Sequence, residues 1–280
     1  MSIKKLALLL AVIAATCIVT ARAQAAATRT WVSGTGTNNT QCSRTQPCQT
    51  FAQALAVTAS SGEIDCLDPG NFGTLNINIP VTIDCEGVSN GGVQVTTPGE
   101  YAFSINATGP VNLIGLDING TNVGSSGVAI GGASVTVRNC KIYGFTVGLG
   151  LYGGTLVADN VFVINNSTGI FENPGSAVST NMSVRNSNIS NNQFGIVVNN
   201  FGTHAGATIE QTTLAFSSEA GLSAQNPGAV AVIGGSTVVN NTVGVSTSTG
   251  GTIYSLKNNQ IGGNGTDGTP LTAYPGGPLN

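Results

Sequence analysis

The sequence predicts an all-β fold, a single-stranded right-handed parallel β-helix (solenoid) with a short N-terminal capping helix. Three observations support this prediction. Segments of about 24 residues repeat, asparagine and glycine recur at fixed places in them, and no long apolar run of helical period follows the apolar amino terminus. Each coil of such a fold has three short strands and three bends, and stacks on the next coil at strand spacing.

The amino terminus has the organisation of a secretory signal peptide. Met1–Lys5 carry two lysines, Leu6–Val19 are almost wholly apolar, and both Ala21-Arg22-Ala23 and Ala23-Gln24-Ala25 fit a cleavage site. An apolar run of about 14 residues is too short to span a bilayer. We therefore expect a signal peptide at residues 1–25 and a secreted or periplasmic mature protein without a membrane span.

The remainder of the chain divides into three parts. Residues 26–62 contain a short helical stretch and are predicted to form an N-terminal cap. Residues 63–264 carry the repeats and are predicted to form the β-helix. Residues 265–280 are rich in glycine and proline and are predicted to be a flexible tail.

The charge balance argues against several kinds of partner. The chain has nine Lys and Arg and twelve Asp and Glu, and removal of Lys4, Lys5 and Arg22 with the signal peptide would leave a net charge of −6. Because proteins attract nucleic acid and anionic membranes through Lys and Arg, we expect neither as a partner. We also expect weak binding to polyanionic sugars, and a monomer.

Five cysteines follow the predicted signal peptide, and neighbours along the chain are expected to pair in an oxidising compartment. The expected disulfides are Cys42 with Cys48 and Cys66 with Cys85. Cys66 and Cys85 each follow an Asp in an apolar run, which indicates equivalent positions one coil apart. Cys140 is left over and is predicted to be a buried thiol. A zinc site would need paired Cys-x-x-Cys units, so no metal site is predicted.

Seven segments align in one register. Their third position is Asn, Gln or Gly, which tolerate left-handed backbone angles and so indicate a bend with a ladder of side-chain amides. Their sixth position is always apolar and is predicted to face the core. The third-position residues are Gly115, Asn139, Asn160, Asn186, Gln211, Gly235 and Asn258, and the sixth-position residues are Ile118, Ile142, Val163, Ile189, Leu214, Val238 and Ile261. The pairs Asn165-Asn166, Asn191-Asn192 and Asn240-Asn241 indicate a further bend.

The second position of these segments is charged in four successive coils. Arg138, Asp159, Arg185 and Glu210 alternate in sign, and we call these four residues the charged strip. One interpretation is a stabilising ladder of surface charges. The other is a binding strip, since solenoids bind partners along elongated exposed faces. Lys257 aligns with the same position in the last coil.

A compact motif precedes the repeats: Pro47–Leu55, then Gly62-Glu63-Ile64 and Asp68–Phe72. It resembles the entry motif of the pectin-lyase-like right-handed parallel β-helix superfamily, in which a short helix covers the open end of the first coil. Phe51 would lie on the covering face of that helix and Thr50 would be its N-cap. The sequence also resembles β-helix repeat proteins exported by Gram-negative bacteria, whose activity is not established.

The superfamily resemblance implies three chemistries to look for. Pectate lyases hold calcium with clustered acids and use Arg or Lys as a base. Polygalacturonase-like hydrolases use three aspartates, a Gly-His-Gly and an Arg-x-Lys, and pectin methylesterases use two aspartates and an arginine. The sequence has no Asp-Asp pair, Gly-His-Gly or Arg-x-Lys, and its one histidine, His204, lies in a loop-like segment.

The remaining catalytic candidates are Asp159, Arg185 and Glu210 in the charged strip. Two coils separate the acids, which corresponds to about 9.6 Å, near the upper end of the roughly 6.5–9.5 Å carboxyl separation of inverting glycosidases. That distance is too large for one calcium ion. Arg185 between the acids would keep both ionised.

We therefore expect a secreted or cell-surface β-helix protein without catalytic activity or cofactor, with a face that binds a polysaccharide or another surface partner. The alternative is a polysaccharide lyase or glycoside hydrolase with an unrecognised site, and only a lyase would require calcium. Aromatic side chains that could stack on sugar rings are Tyr143, Phe145, Tyr152, Phe162, Phe171, Phe194, Phe201 and Phe216.

Overall fold

The computed structural model describes residues 26–275, so the predicted signal peptide at residues 1–25 lies outside the described part of the chain. The chain winds about eight turns of a parallel β-helix. Strands from successive coils pair in parallel, and the coil has three faces. The predicted all-β solenoid with one short helix is confirmed.

The first face is a sheet of 11 strands. Its members are β1 (Ala27–Val32), β2 (Thr58–Cys66), β5 (Val81–Asp84), β8 (Val111–Ile114), β10 (Ser134–Arg138), β12 (Gly154–Asp159), β15 (Ser179–Arg185), β18 (His204–Glu210), β21 (Ala229–Gly234), β24 (Thr252–Ser255) and β27 (Thr272–Ala273).

The second and third faces form one sheet of 16 strands, because β9 (Asp117–Ile130) and β11 (Lys141–Leu151) each run around the bend between the two faces. The second face comprises the first residues of β9 and β11 with β3 (Gly70–Asn71), β6 (Gly91–Gln94), β13 (Phe162–Ile164), β16 (Asn188–Ser190), β19 (Thr213–Ala215), β22 (Thr237–Val239) and β25 (Gln260–Ile261). The third face comprises the last residues of β9 and β11 with β4 (Leu75–Ile77), β7 (Tyr101–Ile105), β14 (Thr168–Glu172), β17 (Phe194–Asn199), β20 (Ala220–Gln225), β23 (Val243–Ser248) and β26 (Thr266–Gly268).

A seven-residue helix, α1 (Phe51–Val57), lies against the core at the amino-terminal end of the solenoid. Thr50 is its N-cap, and the Thr50 hydroxyl accepts a hydrogen bond from the Gln53 N–H at 3.2 Å. Phe51 is completely buried, with its ring centroid 5.0 Å from that of Phe72. The helix therefore covers core side chains that no earlier coil covers. No helix within residues 26–275 is long and apolar enough to cross a membrane.

The bend from the first to the second face depends on left-handed backbone angles. Asn139, Asn160 and Asn186 have φ angles of 55°, 53° and 52°. Asn adopts this conformation more readily than other residues with a side chain, and glycine adopts it without steric cost. This explains why the third repeat position holds Asn, Gln or Gly.

The bend from the second to the third face combines a left-handed residue with a buried amide. Asn165 and Asn191 have φ angles of 55°, and the Asn that follows each of them is buried. Asn166 Nδ2 donates to Asn192 Oδ1 at 3.1 Å, and Asn192 Nδ2 donates to the Val163 carbonyl at 2.9 Å. These side chains satisfy polar backbone groups that the bend would otherwise leave unpaired in the interior.

The sixth repeat position forms an apolar column through the core. Ile142 pairs with Ile118 on one side and Val163 on the other, and Val163 pairs with Ile189. All four side chains are completely buried. The column continues in register through Leu214, Val238 and Ile261.

Cys140 is a buried free thiol that takes the place of a hydroxyl group. Its Sγ accepts a hydrogen bond from the Leu116 N–H at 3.4 Å. Ser187 Oγ has the same role two turns further along, where it accepts from the Val161 N–H at 3.1 Å. Burial raises the pKa of Cys140 to about 12, so the thiol stays protonated.

Both predicted disulfides are confirmed. Cys42–Cys48 closes the loop that precedes α1, and Cys66–Cys85 joins two successive coils. Asp65 and Asp84, the residues before the second pair, are direct neighbours in the sheet. The two cysteines therefore hold equivalent positions one coil apart.

The winding extends beyond the boundaries predicted from the sequence. β1 pairs with β2, so part of the predicted cap belongs to the first face. At the other end, β26 pairs with β23 and β27 pairs with β24 inside the segment predicted to be a flexible tail. Strand pairing continues there because it satisfies backbone groups at the edge of the preceding coil.

Lys257 does not occupy the second repeat position, contrary to the alignment. Ile233 pairs with Ser255 and Val238 pairs with Ile261, so the last coil has one more residue between these positions. Lys257 accommodates the extra residue at the bend with a φ angle of 66°.

Candidate functional site

A groove runs along the outside of the second face near its amino-terminal end. Its volume is about 380 Å³, and a second depression of about 230 Å³, also lined by Asp117, continues it toward the first bend. Side chains beside the buried sixth position point outward into it. We call the combined feature the groove. The side chains that line it include Asn71, Gln94, Asp117, Asn119, Lys141, Tyr143 and Phe162, with Asn139 and Asn160 at its rim.

Three side chains from two successive coils form the centre of the groove. Tyr143 Oη donates to Asp117 Oδ1 at 2.9 Å, and Lys141 Nζ lies 4.4 Å from the centroid of the Tyr143 ring. Partial burial and the hydrogen bond to Asp117 raise the pKa of Tyr143 to about 12, so the phenol keeps its proton. The Tyr143 ring is thus held in place by a hydrogen bond and a cation–π contact.

Amide side chains occupy fixed positions beside this centre. Asn71 exchanges two hydrogen bonds with the backbone of Gln94, at 3.0 and 3.4 Å. Asn119 Oδ1 accepts from the Thr121 N–H at 2.8 Å. The groove therefore offers amides, a phenol, an ammonium group and a carboxylate, which can donate to and accept from the hydroxyl groups of a ligand.

The rim of the groove is part of the predicted amide ladder. Asn160 Nδ2 donates to Asn139 Oδ1 at 2.8 Å, and Asn139 Nδ2 donates to Glu86 Oε1 at 2.6 Å. In the next coil the pattern changes, because Asn186 Nδ2 donates to the carboxylate of Asp159 at 3.0 Å instead. The ladder connects the groove to the charged strip around the first bend.

The structure stacks the four residues of the charged strip in consecutive coils, in the predicted register. One ion pair forms within it, between Arg185 and Asp159 at 3.1 Å. Arg138 instead lies 3.8 Å from Glu86, and Glu210 makes no ion pair within 4.0 Å to any residue in the described range. Exposed pairs of this kind contribute at most about 1 kcal/mol to stability.

The three catalytic candidates are only partly brought together. Asp159 contacts Arg185, whereas Glu210 lies one coil further along the same column. Hydrogen bonds from Asn186 and Arg185 hold the pKa of Asp159 below its usual range, so the carboxylate remains ionised and has no proton to give. Residues 26–275 also contain no group of three or more His, Cys, Asp or Glu side chains that could hold a metal ion.

A separate charged cluster lies on the first face in the amino-terminal coils. Arg29 forms ion pairs with Glu63 and with Asp65, the latter at 2.9 Å, and Asp84 is the next neighbour of Asp65. Burial and the adjacent acids raise the pKa of Asp65 to about 6. These side chains interact with one another and line no part of the groove.

The aromatic candidates are distributed over three places. Phe145 is 4% exposed and faces the core, so it cannot stack on a ligand. Tyr143 and Phe162 line the groove, and the Phe162 side chain is 51% exposed. Phe171 and Phe194 lie on strands of the third face, and Tyr152 follows β11 with its ring over Gly150 of that face. Phe201 and Phe216 lie at bends.

The sequence alone does not single out Asp117, Asn119 or Lys141. Asp117 and Lys141 do share a sequence signal, because both hold the fifth repeat position, next to the buried sixth position. That position is polar or aromatic in all seven segments, with Asp117, Lys141, Phe162, Asn188, Thr213, Thr237 and Gln260. A column that is polar or aromatic beside an apolar column indicates an outer surface.

These features define a parallel β-helix protein of the pectin-lyase-like fold, with a polar groove on one face. The structure is similar to the crystal structure of the Dettilon tailspike protein, with a TM-score of 0.59 and 14% identity over 80% of this chain and 48% of that chain. It is also similar to pectate lyase Pel9A, with a TM-score of 0.52 and 16% identity over 81% of this chain and 61% of that chain. This chain therefore spans about half to three fifths of these proteins. No family model and no curated protein matches it.

Proposed function

We propose that this chain is an exported protein, secreted or periplasmic, that binds a polysaccharide in the groove without cleaving it. The observation that supports the proposal best is the centre of the groove, where Tyr143 is held between Asp117 and Lys141. An aromatic ring in fixed orientation beside hydrogen-bonding groups suits a sugar, which has apolar C–H faces and a polar edge of hydroxyls. Two disulfides fit an oxidising destination.

The shape of the groove favours a polymer over a compact ligand. Its lining side chains come from successive coils, so it follows the axis of the solenoid from Asn71 to Phe162. Extended surfaces along stacked repeats are the usual binding sites of solenoid proteins. Pectate lyase Pel9A has a similar fold and by its name acts on a polysaccharide, which supports the same class of ligand here. In this proposal one chain binds the polysaccharide without a cofactor.

The acidic groups near the groove support binding rather than hydrolysis. Among the described residues that line the groove, Asp117 is the one carboxylate. Glycosidases need a pair of carboxyl groups, one of them protonated. Asp159, around the bend, is kept ionised by Arg185 and Asn186.

Affinity electrophoresis through gels that contain one polysaccharide each tests this proposal. We expect at least one polysaccharide of a neutral and acidic panel to retard the protein, and Tyr143→Ala and Phe162→Ala to weaken the retardation. Phe201→Ala is the matched control, because Phe201 is an aromatic residue that is 67% exposed at the bend between the third and first faces, away from the groove. Equal retardation of all variants, or none for the parent protein, would contradict the proposal.

The enzymatic alternative is tested on the same panel by measuring reducing ends and unsaturated products, with and without calcium. The shared fold with a pectate lyase is what favours it. We expect no turnover. Turnover that is lost in Asp159→Ala or Arg185→Ala would show that the charged strip is a catalytic site and that the proposal is wrong.

A further inference from the structure

The outer surface of the third face has aromatic side chains that the groove does not use. The ring centroids of Tyr152 and Phe171 are 6.4 Å apart in an edge-to-face arrangement. The Tyr152 ring lies over Gly150, since a Cβ atom there would come within 2.8 Å of the ring. Gly150 thus allows the ring to rest on the sheet surface.

Two further rings extend this arrangement along the axis. Tyr101, which is 46% exposed, pairs with Ser126 on β9, and β9 pairs with β11, the strand that Tyr152 follows. Phe194 is on β17, the neighbour of the strand that carries Phe171. We call Tyr101, Tyr152, Phe171 and Phe194 the aromatic strip.

Strand register gives the dimensions of the aromatic strip. Tyr101 pairs with Ser126, and the same column continues through β11 and β14 to Phe194. Four coil spacings of about 4.8 Å make the strip roughly 19 Å long. Its width is no more than about 16 Å, which is five residues along a strand, so its area is about 300 Å².

The strands that carry the aromatic strip have no outward charge, and the exposed acids Glu100 and Glu219 directly precede β7 and β20. From β4 to β23, the described strands of the third face have no charged side chain that points outward. Glu172 is the one Asp, Glu, Lys, Arg or His in these strands, and it faces the core, where it is completely buried. Hydroxyl groups such as those of Ser104 and Thr168 lie between the rings.

The area of the aromatic strip and the charge around it indicate which kind of ligand fits there. A stable protein dimer needs about 800 Å² from each partner, more than twice the area of the strip. An elongated row of rings on strands without outward charge, with the exposed acid Glu100 beside it, fits a narrow, uncharged chain whose own faces stack on aromatic rings. We propose that the aromatic strip is a second polysaccharide-binding site, selective for neutral, extended polysaccharides. It shares the class of ligand with the groove but does not depend on the groove.

Affinity electrophoresis in gels that contain hydroxyethylcellulose, a neutral glucan, or polygalacturonate, an acidic polymer, tests this site. We expect the double variant Tyr152→Ala/Phe171→Ala to weaken binding to hydroxyethylcellulose about tenfold, because two stacking contacts are lost. Tyr152→Phe, which keeps the ring, should bind as the parent does. Circular dichroism and the thermal midpoint establish that each variant is folded.

The groove variant Tyr143→Ala separates the two sites. Loss of binding to hydroxyethylcellulose in Tyr152→Ala/Phe171→Ala but not in Tyr143→Ala supports the aromatic strip, whether or not the groove also binds a polysaccharide. Unchanged binding of the folded double variant, absence of binding by the parent protein, or preference of the strip for polygalacturonate would overturn the inference. A parent protein that sediments as a dimer and a double variant that sediments as a monomer would show that a second copy occupies the surface, which also overturns it.

Discussion

Glu172 provides a prediction in which stability depends on pH. The residue ends β14 with its side chain inward, in register with Leu151 and Val198, which are both completely buried. Neither carboxyl oxygen has a hydrogen bond of normal geometry. The hydroxyl of Thr180 and the N–H of Gly206 lower the pKa somewhat, but burial dominates and raises the pKa of Glu172 to about 7.

The sign of the effect follows from the two protonation states. Below pH about 4.5 the carboxyl is neutral in the folded and the unfolded protein, and burial carries no electrostatic cost. Between pH 4.5 and 7 only the unfolded state loses the proton, so the free energy of unfolding decreases as the pH rises. A Glu172 pKa raised from 4.5 to about 7 corresponds to about 3 kcal/mol in the free energy of unfolding. For a chain of this size that is a change of roughly 6–12 °C in Tm.

Glu172→Gln keeps the shape of the side chain and removes the ionisable group. We expect the variant and the parent to have similar Tm values at pH 4.5, and the variant to have the higher Tm at pH 8. Thermal unfolding followed by circular dichroism from pH 4.5 to 8.5 measures both, with Glu219→Gln, at an exposed position, as the control. The same Tm difference between parent and Glu172→Gln at all pH values would show that Glu172 does not titrate with a raised pKa.

Three further predictions concern the ladders between coils, each measured as the free energy of unfolding in urea. Cys140→Ser should change the free energy of unfolding by less than about 1 kcal/mol, since serine accepts the equivalent hydrogen bond in a later coil. Cys140→Val should cost about 1–3 kcal/mol, because the Leu116 N–H loses its acceptor. Equal effects of the two substitutions would argue against this role. Asn192→Leu should cost about 1–3 kcal/mol because the Asn166 backbone N–H and the Val163 carbonyl lose the hydrogen bonds that Asn192 makes to them, and no loss would contradict the buried amide ladder. Asn160→Ala should cost about 1–2 kcal/mol and Asn160→Gly less, since residue 160 has a positive φ; the reverse order would contradict the bend geometry.

The repeat made much of the fold accessible from the sequence. In a solenoid each coil contacts only the coils next to it, so residues at equal positions in successive repeats become neighbours in space. Ile142, Val163 and Ile189 illustrate this, as does the stacking of Cys66 on Cys85. The Asn and Gly bends were predictable for a local reason, because left-handed backbone angles exclude most other residues.

The surfaces and exceptions were harder to predict. The bend between the third and first faces varies in length, so the sequence alignment loses its register across it. The sequence therefore does not distinguish Phe171, which points outward, from Phe145, which points into the core. Glu172 precedes Asn-Pro-Gly and reads as the start of a loop, yet strand pairing places its side chain in the core. The groove is hard to predict because it depends on contacts among Asp117, Lys141 and Tyr143, two of which come from one coil and one from the coil before it.

The stacking of coils in register underlies both proposed binding surfaces, and a cross-linking measurement tests it directly. Thr213 and Thr237 are paired neighbours on the outside of the second face, and Gln260 is the next residue in that column. Cysteines at positions 213 and 237 would have Cα atoms about 4.8 Å apart, within the range of a disulfide, whereas positions 213 and 260 would be about 9.6 Å apart. Mass spectrometry after mild oxidation should find the cross-link in Thr213→Cys/Thr237→Cys and not in Thr213→Cys/Gln260→Cys. The opposite pattern, or equal cross-linking in both variants, would contradict the account.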